Sequence, residues 1–101
     1  MSVMHITKEN FQSEVMESKV PVLLDVWASW CGPCRMVSPI LEEVAAERPD
    51  IKICKVNVDE QPELASRFRV MSIPMLAVMK NGEMVNQSVG AKPKAQILAM
   101  L

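Results

Sequence analysis

The sequence predicts an α/β domain in which helices cover both faces of a mixed central β-sheet, in the order β-α-β-α-β-α-β-β-α. Short apolar runs alternate with amphipathic helical patterns along the first part of the chain, and helical crossovers require parallel strands. The run 22–28 is almost continuously apolar, which is typical of a strand covered on both faces. Asn81-Gly82 lies between the apolar segments Met75–Lys80 and Glu83–Val89 and indicates a hairpin, so the last two strands should be antiparallel.

The other elements follow from apolar spacing and from residues that begin helices. Segments 3–6 and 51–58 are predicted strands. Thr7 can cap a helix over 8–18, and Pro62 suits the first turn of a helix over 63–68. A helix over 36–47 carries a broad apolar stripe, and a last helix begins at Pro93.

The composition is that of an ordinary globular protein and predicts one domain over residues 1–101. Half of the residues are hydrophobic, 23% are charged and the net charge is −1, so we expect binding to neither nucleic acid nor an anionic membrane. No apolar run is long enough to cross a bilayer, and the N-terminus has no secretory pattern. Three cysteines are an odd number, which argues against a disulfide framework and favours a reducing compartment, the cytoplasm. A chain from which a targeting peptide had been removed would show the same features.

A Cys-x-x-Cys motif, Trp30-Cys31-Gly32-Pro33-Cys34, lies between a predicted strand and the following helix. Residues three apart in a helical turn have Cβ atoms roughly 5–6 Å apart, and a disulfide needs Cα atoms about 4.4–6.8 Å apart. Cys31 and Cys34 can therefore be joined or parted with little backbone movement, which is typical of a redox site. A zinc site or a static disulfide is the alternative. Zinc needs four ligands, and only Cys54 and His5 remain as soft ligands, so no metal is expected.

The two cysteines should have different roles. Cys31 would lie at the N-terminus of a helix, where free backbone N–H groups and the helix dipole favour a thiolate, and only a thiolate attacks a disulfide. We therefore expect Cys31 to be the nucleophile. Cys34, one turn further on, should be less exposed and less acidic, and would resolve the mixed disulfide. Gly32 and Pro33 are small, and Pro33 lacks an N–H donor, so both should leave the Cys31 sulfur open to a protein substrate.

Motifs along the whole chain resemble those of the thioredoxin family, in the same order: Asp25-Val26-Trp27-Ala28-Ser29-Trp30-Cys31-Gly32-Pro33-Cys34, Lys55-Val56-Asn57-Val58-Asp59, Ser72-Ile73-Pro74 and Lys80-Asn81-Gly82-Glu83. The resemblance implies the thioredoxin fold. It also implies a protein-disulfide reductase, because the Gly-Pro pair between the cysteines resembles the pair found in the reducing members of the superfamily. It also implies a monomer with no bound cofactor, which receives electrons from NADPH through a separate thioredoxin reductase. The clients it implies are ribonucleotide reductase, peroxiredoxins and methionine sulfoxide reductases, with a role in cell redox homeostasis.

Asp25 is a carboxylate inside an otherwise apolar strand, and burial would raise its pKa and make it a proton acceptor near neutrality. A strand-end residue that faces water is the alternative. Lys55, in the strand 51–58, is by itself typical of a solvated lysine. The resemblance implies that Asp25 lies behind Cys34 and helps to deprotonate it, and that Lys55 approaches Asp25 and moderates its charge.

The resemblance further implies a flat apolar rim that contacts partners, formed by Trp30, Pro33, Ile73, Gly90 and Ala91. The Ile73-Pro74 bond in this rim is expected to be cis, with the Ile73 backbone offered to an extended substrate segment. Gly90 is equally well interpreted as a strand-end glycine.

Two methionines, Met71 and Met75, bracket Ile73-Pro74 at positions where the family more often has polar, basic or threonine residues. We hypothesise that both methionines make the rim softer and more apolar. Cys54 lies among apolar strand residues and is expected to be a buried, inert thiol, with a regulatory or sensor thiol as the alternative.

Two other functions remain open on the sequence alone. A disulfide oxidant or isomerase working outside the cytoplasm would use the same two cysteines. A binding subunit would use the same flat rim without any redox chemistry.

Overall fold

Five strands form one mixed sheet in the computed structural model, which describes residues 3–101. The strands are β1 (Met4–His5), β2 (Val22–Trp27), β3 (Lys52–Asn57), β4 (Met75–Lys80) and β5 (Glu83–Val89). Their spatial order is β1-β3-β2-β4-β5. β1, β3 and β2 are parallel, whereas β4 runs antiparallel to β2 and β5 antiparallel to β4. The predicted mixed sheet is therefore confirmed.

Within the described range, three α-helices connect or follow the strands: α1 (Gly32–Glu47), α2 (Pro62–Arg67) and α3 (Lys94–Met100). α1 begins four residues before the apolar stripe that predicted it, at Gly32 rather than at Met36. The apolar stripe does not extend into this first turn, but the spacing of the Cys-x-x-Cys motif places both cysteines at the start of the helix, as the structure does. The helix continues through Pro39.

The predicted helix over 8–18 is wrong in its length, because the helical segment is only a single-turn π-helix, Gln12–Met16, preceded by turns. The Thr7 N–H donates to Asn10 Oδ1 at 2.7 Å, and the Glu9 N–H donates to Thr7 Oγ1 at 3.3 Å. These are reciprocal capping bonds, so Thr7 caps the segment as predicted, and the Phe11 N–H donates to the Thr7 carbonyl oxygen at 3.0 Å. Further on, the Glu17 N–H donates to the Gln12 carbonyl oxygen five residues back, at 2.9 Å, which is π-helical spacing.

The alternation of side chains along β2 assigns helices to each face of the sheet. Leu23 packs on the side of α1 and α3, in a cluster that also contains Val37, Leu41, Val44, Ile53, Leu76, Val78 and Ile97. Leu24 packs on the side of the π-helix and α2, in a cluster that also contains Phe11, Val15, Val22, Val26, Val56, Leu64 and Phe68. Helices therefore cover both faces, and the architecture is the predicted thioredoxin fold.

This architecture brings three segments together at one end of the sheet. β2 ends at Trp27, and α1 begins five residues later, at Gly32, directly after Cys31. Because β4 is antiparallel to β2, with Val26 opposite Met75, the start of β4 lies beside the end of β2. The segment before β4 is thus placed next to the start of α1.

Candidate active site

Cys31 and Cys34 are joined by a disulfide at the start of α1, with their Cα atoms 5.3 Å apart. Cys31 is the N-cap residue, in an extended conformation (φ −92°, ψ 110°), and its sulfur accepts a hydrogen bond from the Cys34 backbone N–H at 3.2 Å. Only 5% of Cys31 and 2% of Cys34 is exposed. The same N–H group and the positive end of the helix dipole would stabilise a thiolate at Cys31 after reduction.

Gly32 and Pro33 form the exposed part of the first helical turn. A Cβ atom built on Gly32 would have no heavy atom within 4 Å, so this position opens onto free space. Pro33 occupies the first turn, where the missing N–H costs no helical hydrogen bond. Together the two residues leave one flank of Cys31 without bulky side chains.

The loop before β4 faces the disulfide. The Ile73–Pro74 peptide bond is cis, and the Ile73 carbonyl oxygen lies 3.9 Å from Cys31 Sγ. The Gly90 N–H donates to the Pro74 carbonyl oxygen at 2.8 Å, and Gly90 has φ +95°, a conformation that favours glycine. Gly90 therefore ties the end of β5 to the proline loop, while Ala91 beside it is exposed.

An apolar groove of about 190 Å³ runs beside this loop. Its lining contains no charged side chain and consists of Trp30, Val58, Ala65, Val70, Met71, Ser72 and Ile73. Trp30 is 65% exposed, and its Nε1–H donates to Asp59 Oδ2 at 2.8 Å. This bond fixes the Nε1 edge of the indole beside the groove.

Asp25 is completely buried on β2, and neither of its carboxylate oxygens has a hydrogen-bond partner among the described residues. Since Asp25 alternates with Leu24 and Val26, its side chain points to the same face as Leu23, the α1 side. Burial raises the pKa of Asp25 to about 7, and the positive charge of Lys55 works in the opposite direction. A carboxyl group in this state is half ionised near neutral pH and can accept or release a proton there.

Lys55 lies directly beside Asp25 in the register of β2 and β3. Its Nζ donates to Ser38 Oγ on α1 at 2.7 Å and stands 4.5 Å from the centroid of the Trp27 ring. Trp27 in turn packs against the cluster of Ala28, Cys31 and Cys34. The charged and polar groups behind the disulfide are therefore held by β2, β3 and α1 together.

The hypothesis that Met71 and Met75 both contribute to the rim is only partly correct. Met71 is 96% exposed and lines the groove, but Met75 is 3% exposed and belongs to the core cluster with Val26. The hypothesis that Met75 softens the rim is therefore wrong. Met75 is the first residue of β4, and strand alternation turns it toward the π-helix and α2.

Two residues of the site were missed by sequence reasoning. Asp59 orients Trp30, and it follows β3 within a motif that the sequence shares with the thioredoxin family, so its position could have drawn attention. Ser38 binds Lys55, and nothing in its local sequence signals that contact, because it joins two distant elements.

Cys54 is buried in β3, and burial raises the pKa of its thiol to about 12. His5 lies in β1, opposite Lys55 in the register. No group of three or more His, Cys, Asp or Glu side chains that could hold a metal ion occurs within residues 3–101. None of the helices described above is long and apolar enough to span a membrane.

A pair of sulfurs that closes at a helix start can carry two electrons by thiol–disulfide exchange. This chemistry, on this fold, defines the class of disulfide oxidoreductases. Comparison with known proteins gives the family. The thioredoxin family model matches residues 2–101.

Curated relatives agree with the family model. The chain is 48% identical to thioredoxin 1 of Synechococcus elongatus over 93 residues, which cover 91% of this chain and 87% of that protein. It is 50% identical to thioredoxin of Mycobacterium bovis, over 95% of this chain and 84% of that protein. It is 45% identical to thioredoxin of Pyropia yezoensis, over 100% of this chain and 95% of that protein. The chain belongs to the thioredoxin family and is a disulfide oxidoreductase.

Proposed function

We propose that this protein is a protein-disulfide reductase whose Cys31–Cys34 dithiol reduces client disulfides and is re-reduced by an NADPH-dependent thioredoxin reductase. The observation that supports the proposal most is the Cys34 N–H at 3.2 Å from Cys31 Sγ in the first turn of α1. Membership of the thioredoxin family supports the choice of electron donor. The protein itself needs no bound cofactor, because both electrons travel through the sulfurs.

In the first step the Cys31 thiolate attacks one sulfur of a client disulfide. The Cys31–client bond forms as the client's S–S bond breaks, and the departing client sulfur leaves as a thiolate that takes up a proton. The groove beside Cys31 would hold the residues that flank the client cysteine, and the Ile73 backbone would align them as an extended segment.

In the second step Cys34 loses its proton and attacks Cys31 Sγ. The Cys31–Cys34 bond forms, the bond to the client breaks, and the client is released with both of its sulfurs reduced. Asp25 is proposed as the acceptor of the Cys34 proton, since it lies on the α1 side of β2 and burial raises its pKa to about 7. Lys55 would moderate the basicity of Asp25.

The proposed setting follows from the same family membership. We place the protein in the cytoplasm as a monomer that helps to maintain cell redox homeostasis. Its clients would be reductases and peroxidases that end each cycle with a disulfide, of the ribonucleotide reductase, peroxiredoxin and methionine sulfoxide reductase types. Comparing turnover with these three classes, at equal concentration, would rank them.

A coupled assay tests the reductase directly. NADPH oxidation is followed with thioredoxin reductase and insulin as the disulfide protein, and it should depend on the presence of this protein. A reduction potential in the range of an oxidising compartment would instead favour the oxidant or isomerase. Full biological activity of a Cys31→Ser, Cys34→Ser double variant would favour the binding subunit.

Cys34→Ser should accumulate a covalent adduct with the disulfide substrate through Cys31, because the resolving thiol is gone while the attacking one remains. Non-reducing gel electrophoresis and mass spectrometry of the linked peptides measure the adduct. The double variant that also lacks Cys31 is the control and should form none. An adduct linked through Cys54 would contradict the assignment of Cys31 as the nucleophile.

Met71→Lys should lower kcat/KM for clients whose cysteine is flanked by apolar residues, roughly three- to tenfold. The substitution places a charge in an uncharged groove and removes apolar contact worth ~1 kcal/mol. Met36→Lys is the matched control, since Met36 is 67% exposed on α1 and does not line the groove. Equal losses in both variants would show that the groove does not select clients through Met71.

A further inference from the structure

The ammonium group of Lys55 is held on the α1 side of the sheet by two contacts. Its Nζ donates to Ser38 Oγ at 2.7 Å, and it lies 4.5 Å from the centroid of the Trp27 ring. Ser38 follows Cys34 by four residues on α1, so the two side chains lie on the same face of that helix. The hydroxyl therefore reaches Lys55 from a position one helical turn after Cys34.

The Asp25 carboxylate, a stronger acceptor than a hydroxyl, is next to Lys55 and is not bonded to it. The two residues are register partners on β2 and β3, and both alternate onto the α1 side. Neither oxygen of Asp25 has a hydrogen-bond partner among the described residues. A buried carboxylate gains most from a charged donor, so an unrestrained ammonium would be drawn to it.

Other charged groups near this face are engaged elsewhere or exposed. On α1, Arg35 donates to the Ser29 carbonyl oxygen and is exposed. From α3, Lys94 pairs with the exposed Glu43 and Glu47. On β4, the register partner of Asp25 is the uncharged Leu76. Lys55 is therefore the charge that faces Asp25 within residues 3–101.

We propose that Ser38 is a positioning residue that holds the Lys55 ammonium away from direct contact with the Asp25 carboxylate and so preserves that carboxylate as a proton acceptor. The proposal rests on the proposed function, in which Asp25 accepts the proton of Cys34. An ammonium in contact with the carboxylate would stabilise its ionised form and weaken it as a proton acceptor. Held by the hydroxyl, the same ammonium acts on Asp25 only through space.

The direct test is the titration of the Asp25 carboxyl carbon by ¹³C NMR in the oxidised protein. The disulfide keeps Cys31 and Cys34 from titrating, and the pKa of Cys54 is about 12, so no thiol interferes. Ser38→Ala removes the acceptor and lets Lys55 turn to Asp25, so the titration midpoint should fall by about one pH unit. Ser38→Thr retains a hydroxyl and should titrate like the parent.

A second pair of variants separates positioning from general disturbance. Lys55→Gln removes the charge, and in that background Ser38→Ala should leave the Asp25 midpoint unchanged. An unchanged or raised midpoint in Ser38→Ala, or an equal shift with and without Lys55, would overturn the proposal.

The NMR titration reads the proton on Asp25 whether or not the protein reduces disulfides, so its failure is distinct from failure of the proposed function. In the coupled assay, the acid limb of the pH–rate profile should move with the midpoint in Ser38→Ala. A shifted titration with an unmoved rate profile would support the placement by Ser38 and count against Asp25 as the proton acceptor.

Discussion

Cys31→Ser is expected to abolish disulfide reduction, with a loss of about 10³-fold or more in kcat/KM. A hydroxyl is not ionised near neutral pH, so the helix start has no thiolate to stabilise and the first exchange step has no nucleophile. The measurement is the coupled NADPH assay with a fixed amount of reductase and insulin. Activity within tenfold of the parent would contradict the mechanism.

Cys54→Ser is the matched control for this experiment. Cys54 is buried in β3, and burial raises its pKa to about 12, so it has almost no thiolate at neutral pH. Its replacement should leave turnover close to that of the parent. Stability must be compared between reduced proteins, because the parent in its oxidised form has a disulfide that Cys31→Ser lacks.

Asp25→Asn should stabilise the protein at alkaline pH and leave it nearly unchanged in acid. Burial raises the pKa of Asp25 from 3.8 to about 7, so the folded protein binds this proton more tightly than the unfolded chain. The stability that this proton contributes is fully present below the unfolded pKa and is lost as the pH rises through the folded one. One pKa unit corresponds to about 1.4 kcal/mol, so the shift sets an upper limit of roughly 4 kcal/mol above pH 7.

Urea unfolding of the oxidised proteins at pH 5 and pH 8 measures this effect. The parent should lose stability between the two values, whereas Asp25→Asn, which keeps the size but has no titrating carboxyl, should lose much less. A parallel pH dependence in both proteins would show that another group is responsible. Turnover of Asp25→Asn near neutral pH should fall, because the acceptor for the Cys34 proton is missing.

The fold could be predicted where the sequence contains a complete local signal. The strands Met75–Lys80 and Glu83–Val89 were predicted with the bounds that the structure shows, because Asn81-Gly82 fixes the turn between them. The helix over 8–18 was predicted correctly at its Thr7 cap but not in its type, because the Glu17 N–H bonds to the Gln12 carbonyl oxygen with π-helical spacing. Propensity and apolar spacing do not distinguish this hydrogen-bond pattern from that of an α-helix.

The site shows the same division between local and long-range information. The Cys31–Cys34 pair could be predicted because both cysteines lie in one four-residue motif. Asp25 could be predicted because it is a charged residue in an otherwise apolar strand. The bonds from Lys55 to Ser38 and from Trp30 to Asp59 each join side chains that are distant in sequence. Each contact depends on how the folded chain brings distant segments together, which local sequence patterns do not specify.

The near-complete enclosure of the disulfide has a kinetic consequence. Both sulfurs are nearly buried, and Cys31 is the one that borders the Ile73 carbonyl and the open Gly32 position, so electron donor and electron acceptor both have to reach Cys31. In the proposed cycle the two proteins therefore occupy one docking position in alternation and never together. Such an exchange follows double-displacement kinetics. An abundant client therefore slows re-reduction of the protein, because client and reductase compete for the same docking position at Cys31.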